Sequence, residues 1–233
     1  MDVKQRRSWW KRFLADHPEY QQFGQPHSYT TIYGGTGCTH TVLQCIYHGW
    51  KGKSISQDGV SALSGYSREY AETKGGMVAS QMSRFFYKAG LPYKVVFNLK
   101  PVDVLRIANQ YGPVMIGMTY DWHPEKRGAR YRGVRADGRP NGYALRNGKT
   151  QLTGFSGGHA ELLVGWKEIF DKNGKVLRKV AYLKDPNHGS FVRPERPAYD
   201  VVTLEQFANV YNSWHRSHHY WYAAIPTEKF NGR

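Results

Sequence analysis

Hydrophobic residues recur at helical spacing in two segments of the first half of the chain. The segment "CTHTVLQCIYHG" predicts a helix that Gly49 can end as a left-handed cap. The segment "GGMVASQMSRFFYKAG" predicts a second helix, with Gly90 after its end. The residues expected on its buried face are Met77, Met82, Phe85 and Phe86.

Apolar runs that are typical of strands follow these two helices. We expect strands in "LPYKVVFN" and "PVMIGMTY", separated by a short helix in "KPVDVLRIANQYG". Near the carboxyl end, "WHRSHHYWYAAIP" is expected to form a final strand with aromatic neighbours. The pattern therefore mixes helices with strands, and no internal repeat is visible.

Two further strand-like runs, "HAELLVGW" and "KVAYLKDP", are joined through "DKNG", which supplies Asn-Gly turn chemistry. With the turn centred on that motif, the two residue numbers in each opposed pair add up to about 345. His159 then falls opposite Pro186, give or take two positions, and both Asp185 and Asn187 lie inside that range. Directly opposed residues have Cβ atoms about 4.5 to 5.5 Å apart, so an acid or an amide is expected beside His159.

The chain has 233 residues, a length that suits one sizeable domain with an extension. Residues 1–24 form a basic, aromatic amino-terminal extension, which either grips a partner or packs on the domain, and residues 25–233 form the domain. The apolar residues at helical spacing in the extension are Trp9, Trp10, Phe13 and Leu14. Residues 119–157 carry eight Lys and Arg against three acids, which predicts a basic surface insertion: a solvated hairpin or a wall of a substrate cleft.

Composition narrows the class of protein. Hydrophobic residues make up 40 % of the chain, which excludes a disordered protein. The formal net charge of +15 either attracts polyanions, such as nucleic acid, anionic cell-wall polymer or acidic lipid, or serves only solubility. The amino terminus lacks the apolar stretch of about 7 to 15 residues found in secretory signals, and no run approaches the roughly 20 apolar residues of a membrane span. We therefore expect a soluble protein without a secretion signal.

The two cysteines are expected to differ in role. Cys38 follows the glycines of "GGTGC" and opens a predicted helix, where free N–H groups and the helix dipole stabilise a thiolate and can receive an oxyanion. Cys45 lies seven residues further on, about 10.5 Å by helical rise, which is too far for a disulfide, and it points into the core. Cys38 is therefore a candidate nucleophile and Cys45 a packing residue. Without a CxxC pair, neither a disulfide framework nor a zinc knuckle is expected.

Other histidines are weaker candidates for chemistry. A cluster near the carboxyl end lacks matching carboxylates, so we expect no metal site and no cofactor. The cluster consists of His215, His218 and His219. His188 competes with His159 only if the register of the hairpin is shifted.

The chain order of Cys38, His159 and Asp185 resembles that of papain-like cysteine peptidases. Within that family it is most similar to the C39-like group related to bacteriocin-processing peptidases. The matching pieces cover most of residues 34–214, with the basic insertion as an enlargement. They read "GCTHTVLQCIYHGW", "KSISQDGVSALSG", "GGMVASQMSRFFYKAGLPYKVV", "YGPVMIGM", "GGHAELLVGW", "AYLKDPNHG" and "VTLEQFANVYNSW".

This resemblance implies an α+β, papain-like fold, in which an amino-terminal helical part carrying the nucleophile packs on an antiparallel β-sheet. It also implies a cysteine peptidase mechanism. His159 would take the thiol proton, Cys38 would attack a peptide carbonyl, and water would release the acyl-enzyme. Asp185 would orient the imidazole, with Asn187 as the alternative because papain itself uses an asparagine.

One position departs from the family pattern. The oxyanion-hole glutamine expected six residues before the cysteine is replaced by Ile32, so Tyr33, Ser28 or the helix backbone would have to supply the donor. The residues to which we assign substrate binding are Tyr33, Gly158, Asn187, Arg130 and Arg132.

A very basic enzyme of this kind without an export signal resembles phage-encoded, particle-associated hydrolases that act on bacterial cell wall or phage protein. The partners expected are a peptide or peptidoglycan-stem substrate, an anionic polymer (cell wall or nucleic acid) and phage tail or virion proteins. The location expected is a phage virion, and otherwise the cytoplasm. Two alternatives stay open: acyl transfer of the transglutaminase type, and a non-catalytic module that binds polyanions through the basic insertion.

Overall fold

A computed structural model describes residues 1–20, 37–74, 76–119, 129–131, 143–145, 158–186, 200–218 and 220–232. Most of the basic insertion lies outside these ranges. So do several residues singled out above: Ser28, Ile32, Tyr33, Arg132, Asn187, His188 and His219.

The described chain begins with five helices, and most of its strands follow in the second half. The helices are α1 (Val3–Asp16), α2 (Cys38–Lys51), α3 (Gln57–Ser64), α4 (Arg68–Lys74), α5 (Ala79–Ala89), α6 (Pro101–Gln110) and α7 (Leu204–His218). The strands are β1 (Tyr93–Phe97), β2 (Val114–Thr119), β3 (Ala129–Tyr131), β4 (Tyr143–Leu145), β5 (Gly158–Phe170), β6 (Val176–Lys184), β7 (Asp200–Thr203) and β8 (Tyr222–Pro226).

Helix α2 is present where the sequence predicts it, but it ends later than expected. The left-handed cap is Gly52, with φ of 67°, and Gly49 lies inside the helix. A Cβ atom at position 49 would lie 2.1 Å from Cη2 of Trp10, so Gly49 is needed for the close approach of α1 rather than for a cap. Helix α5 ends at Gly90 as predicted, with φ of 59°.

Six strands of the described chain form one antiparallel sheet in the order β1-β8-β2-β5-β6-β7, and β3 pairs with β4 separately. In the β5–β6 hairpin, Leu162 pairs with Lys184 and Leu163 with Leu183, so the paired numbers sum to 346. The predicted sum of about 345 is therefore confirmed within its stated range. Beyond Leu163 a β-bulge shifts the register by one residue.

Helices cover both faces of this sheet. On one face, α1, α2 and α5 pack on sheet residues that include Met115, Ala160, Leu162, Tyr182 and Ala224. On the other face, α6 and α7 pack on sheet residues that include Val114, Ile116, Leu163, Leu183 and Ala223. The predicted α+β class, with the helix that carries Cys38 packed on an antiparallel sheet, is confirmed.

Helix α1 packs on the domain. Trp10 and Leu14 are fully buried. Arg7 Nη1 donates a hydrogen bond of 2.7 Å to the carbonyl of Trp166 in β5, and Arg6 Nη2 donates one of 3.1 Å to the carbonyl of Asn109 in α6. Of the two alternatives for the aromatic residues of the extension, this structure has the packed one.

The prediction of a single strand near the carboxyl end is wrong for its first half. His215 and His218 lie in α7, and the strand β8 begins only at Tyr222. The helix begins at a capping box, because the Thr203 hydroxyl accepts from Gln206 N at 3.1 Å while the Gln206 side chain accepts from Thr203 N at 2.8 Å. None of the described helices has the length and apolarity needed to cross a membrane.

Candidate active site

Cys38 is the first residue of α2, and its surroundings hold that helix end in place. The Gly37 carbonyl accepts hydrogen bonds of 3.0 Å from both the backbone and the hydroxyl of Thr41. Gln57 Nε2, from α3, donates to that hydroxyl at 3.2 Å. The thiol is therefore fixed at a helix amino terminus, where the N–H groups of the first turn lack intrahelical partners and the dipole favours an anion.

His159 and Asp185 meet at one end of the β5–β6 hairpin. His159 is near the start of β5, where it pairs with Met118 of β2, and Asp185 directly follows β6. His159 Nε2 lies 3.0 Å from Asp185 Oδ1, and both side chains are buried. The carboxylate can therefore accept a hydrogen bond from Nε2–H and hold the ring in one orientation.

The thiol of Cys38 contacts the same imidazole. Because Nε2 is occupied by Asp185, Nδ1 is the ring nitrogen left to face Cys38. Burial alone would raise the pKa of the thiol. The hydrogen bond and positive charge of His159, together with a hydrogen bond from the backbone N–H of Ala160, outweigh burial and lower the Cys38 pKa below its usual range.

The pKa of His159 is shifted in the opposite direction. Burial would lower it, but the hydrogen bond to Asp185 and the interaction with Cys38 raise the pKa well above the ordinary histidine value. A thiol with a lowered pKa beside an imidazole with a raised one favours a thiolate–imidazolium pair at neutral pH. Such a pair can supply both a nucleophile and a general acid.

Tyr222 of β8 lies near Cys38 and lines the site. Its ring lies against Gly117 of β2, where a Cβ atom would come within 1.8 Å of Tyr222 Cε1. Gly117 pairs in turn with Ala160, whose N–H contacts the thiolate. Burial first, and the charge of Cys38 second, raise the pKa of Tyr222, so its hydroxyl keeps its proton at neutral pH.

Cys45 lies two turns further along the same helix, and no histidine among the described residues contributes to the shift of its pKa. It is fully buried, and burial raises its pKa to about 12, against a smaller lowering effect from Lys184. A thiol with this pKa is protonated at neutral pH and unreactive.

Glu161 is a buried residue of this cluster that sequence reasoning missed. It follows His159 by two positions in β5, and ligand atoms of His159, Glu161 and Asp185 all lie within 4.8 Å of one another. Among the described residues, this is the group of side chains able to hold a metal ion. A cation would have to displace the proton between His159 and Asp185, so the hydrogen-bonded arrangement and a metal would compete for the same atoms. An acid inside the apolar run "HAELLVGW" was the available signal.

Of the residues predicted to form the site, the structure brings Cys38, His159 and Asp185 together. Gly158 begins β5 beside His159 and pairs with Thr119. Arg130 lies in β3, in the separate β3–β4 pair. The other three predicted substrate-binding residues, Tyr33, Asn187 and Arg132, lie outside the described residues.

Known proteins add little to this geometry. Neither a family model nor a curated protein matches the sequence. Among solved structures, the chain is similar to a presumed C39-like peptidase from Bacillus anthracis, with a TM-score of 0.44 and 11 % identity, over 83 % of this chain and 90 % of that one. At that level the likeness decides neither the fold nor the function of this chain.

Proposed function

We propose that this chain is a thiol hydrolase that cleaves a peptide or amide bond through Cys38, His159 and Asp185. The observation that carries the proposal is a buried line of contacts from thiol to imidazole to carboxylate, in which the pKa of the thiol is lowered and that of the imidazole is raised. A buried ion pair costs desolvation energy, and structural packing alone does not require one at this position. A reactive cysteine nucleophile, in contrast, is commonly activated by a positively charged neighbour of this kind.

The catalytic cycle follows from these contacts. The Cys38 thiolate attacks the carbonyl carbon of the substrate, and the oxyanion that forms faces the free N–H groups at the start of α2. His159 then gives its Nδ1 proton to the leaving nitrogen, the C–N bond breaks, and an acyl-enzyme remains. Water, deprotonated by His159, attacks the thioester and restores the thiolate. Asp185 keeps the ring oriented and stabilises its positive charge throughout.

The finer assignments belong to this proposal as well. Membership of the papain-like peptidases, and of their C39-like group, is supported by the order and content of the sequence pieces quoted above. A role in a phage particle, with cell wall or phage protein as substrate, is supported only by the +15 charge and the composition. The division into residues 1–24, 25–233 and the insertion 119–157 stays a prediction, as does substrate binding by Tyr33, Gly158, Asn187, Arg130 and Arg132.

The test uses the purified protein with peptidoglycan and with protein substrates, each in the presence and absence of a primary amine acceptor. Products are identified by mass spectrometry in water enriched in the heavy oxygen isotope. Hydrolysis is expected to place one heavy oxygen in the new carboxylate, whereas acyl transfer would attach the amine instead. Cys38→Ala should abolish the products and Cys45→Ala should not. Products that persist in Cys38→Ala would overturn the proposal.

A further inference from the structure

The β5–β6 hairpin extends beyond the rest of the sheet, and the proposed mechanism does not use its far end. Strand β2 pairs with β5 only as far as Leu163, and β7 pairs with β6 only from Val180 to Leu183. Beyond Leu163 and Val180, no other described strand flanks the hairpin. We call residues 170–178, which include the turn, the hairpin tip.

Three apolar side chains of the hairpin tip are exposed to solvent and belong to neither core. The exposed fractions are 53 % for Phe170, 39 % for Val176 and 62 % for Leu177. Phe170 and Val176 are paired across the two strands, so they share one face of the hairpin, and Leu177 follows directly. Apolar surface in water is unfavourable, so burial of these side chains against a partner would stabilise the complex.

Basic side chains surround these apolar residues. Lys172, Lys175 and Arg178 are exposed, and none of them forms an ion pair with another residue of the described chain. The acid of the tip, Asp171, is engaged by the turn, because its carboxylate accepts hydrogen bonds of 2.8 Å from the backbone N–H groups of Asn173 and Lys175. The tip therefore presents three cations against one acid that is already hydrogen-bonded.

Further cations lie nearer the base of the hairpin. Lys167 Nζ lies 5.9 Å from the centre of the Tyr182 ring, and Lys11 Nζ, from α1, lies 4.5 Å from the same centre. The acid Glu168 is paired with Lys179 at 3.0 Å. The positive charge therefore continues from the tip along the hairpin to α1.

The shape and the chemistry of the hairpin tip select one kind of partner. A tip that protrudes would need a matching socket in a folded protein, whereas a lipid bilayer can receive it without one. An anionic polymer would contact the cations and leave the apolar side chains in water. An anionic bilayer takes both, because apolar groups enter the boundary between headgroups and acyl chains while cations contact lipid phosphates.

We propose that the hairpin tip is a docking surface for a membrane that contains anionic lipid. Its three apolar side chains enter the interface, and its three cations contact phosphate groups. The surface makes no use of Cys38, so it is independent of the proposed hydrolase activity. It is also distinct from residues 119–157, the basic insertion to which the sequence assigns polyanion binding.

The test measures co-sedimentation of the full chain with phosphatidylcholine vesicles, alone or with about 30 mol % phosphatidylglycerol. We expect the protein to bind the anionic vesicles and to bind pure phosphatidylcholine far less. Removing the three cations should weaken binding about a hundredfold, at about fivefold for each charge. That variant combines Lys172→Gln, Lys175→Gln and Arg178→Gln.

A second variant removes the apolar side chains of the tip and keeps its charge. It should weaken binding by about tenfold or more, because insertion into the interface is lost. That variant combines Phe170→Ser, Val176→Ser and Leu177→Ser. Thermal melts check the fold, and the single change Leu177→Ser replaces the triple variant if the latter does not fold.

Matched controls make the same changes elsewhere on the surface. Val102→Ser removes a side chain of α6 that is 67 % exposed, more than any apolar residue of the tip. A charge control removes three exposed cations on or next to β1, which β8 and β2 separate from the hairpin. It combines Lys88→Gln, Lys94→Gln and Lys100→Gln. Both controls should bind within about threefold of the wild-type protein, because distant charges are screened by salt.

Each outcome decides the proposal. Wild-type binding by the serine variant would mean that charge alone acts, and an equal loss in the charge control would mean that the whole surface acts; either result overturns the docking surface. A wild-type protein that ignores anionic vesicles overturns it too, and tip-dependent self-association in sedimentation velocity would then identify a second copy of this chain as the occupant. Vesicle binding needs no substrate, so failure of the hydrolase proposal leaves this test unaffected.

Discussion

The two turns of α2 that carry Cys38 and Cys45 differ in chemistry although they share a helix and a degree of burial. The exposed fraction is 4 % for Cys38 and 0 % for Cys45. Burial acts on both thiols in the same direction, yet the pKa of Cys38 is lowered while that of Cys45 is raised to about 12. The difference comes from His159 and the N–H of Ala160, which contact only the first of the two. Burial alone therefore keeps a thiol protonated, whereas burial beside hydrogen-bond donors can still leave a thiolate.

The size of this contrast follows from the ionisation equilibrium. With a pKa of about 12, Cys45 is a thiolate in roughly one molecule in 10⁵ at pH 7. The thiolate is the nucleophile, so the reactivity of the two cysteines should differ by orders of magnitude.

The largest effect is expected from removing one thiol at a time. Cys38→Ala should lower amide or peptide hydrolysis by a factor of about 10⁴ or more, because the variant lacks the thiol that forms the acyl-enzyme. Cys45→Ala leaves a small cavity and should cost stability, by about 1 kcal/mol, rather than activity. Product formation and urea unfolding measure the two quantities. Equal losses of activity in both variants would mean that Cys38 and Cys45 do not differ in their role in catalysis.

The next largest effect concerns the residue that orients His159. Asp185→Ala should lower kcat by about 10² to 10⁴, because the imidazolium loses the carboxylate that stabilises it. The pKa of His159 should fall in the same variant, since the hydrogen bond to Asp185 raises it. Turnover and histidine NMR titration measure these effects, with Asp16→Ala as the control, because Asp16 is an exposed acid at the end of α1. If Asn187→Ala is more damaging than Asp185→Ala, the orienting role belongs to Asn187.

Much of this site could be predicted because local rules determine it. The Asn-Gly motif fixes the β5–β6 turn closely enough to bring His159 within two positions of Asp185. The glycines before Cys38 and the apolar spacing behind it place the thiol at the start of a helix. The different environments of the two cysteines also follow from their places in that helix.

The parts that could not be predicted depend on tertiary contacts. Glu161 joins the cluster only if the register is known to the residue, because a shift by one moves it to the other face of the sheet. A glycine near the end of a predicted helix is typical of a cap, and Gly49 fits that pattern. Only the position of Trp10 shows that Gly49 allows close helix packing instead. Helix α7 is a different case, because its capping box of Thr203 and Gln206 is a local signal in the sequence that apolar periodicity alone does not reveal.

A pH series sharpens the comparison of the two cysteines further. Because the Cys38 pKa is lowered, its thiolate persists as the pH falls below the ordinary pKa of a thiol. Because the His159 pKa is raised, its imidazolium persists as the pH rises above the ordinary pKa of histidine. Between about pH 6.5 and about pH 8.5 the alkylation rate of Cys38 should therefore rise by less than that of an ordinary thiol, which would react roughly a hundredfold faster at the upper end.

Rates of iodoacetamide labelling, read by peptide mass spectrometry, measure this profile. Cys45 serves as the internal control and should remain unlabelled while the protein is folded. A Cys38 rate that climbs about tenfold for each pH unit across this range would indicate an ordinary, unpaired thiol.

The smallest effect is expected from Gly49→Ala, which acts on α2 away from Cys38. Alanine is favoured over glycine inside a helix by about 1 kcal/mol, but its Cβ would lie 2.1 Å from the Trp10 ring, and α1 would have to move. We expect the cost of overpacking to exceed the gain in helix propensity, so the free energy of unfolding should fall by about 1 to 2 kcal/mol. Gly76→Ala is the matched control, because a Cβ there would meet nothing within 4 Å. Labelling of Cys38 should be unchanged in both variants; slower labelling in Gly49→Ala would mean that packing against α1, and not only His159 and Ala160, sets the reactivity of the first turn.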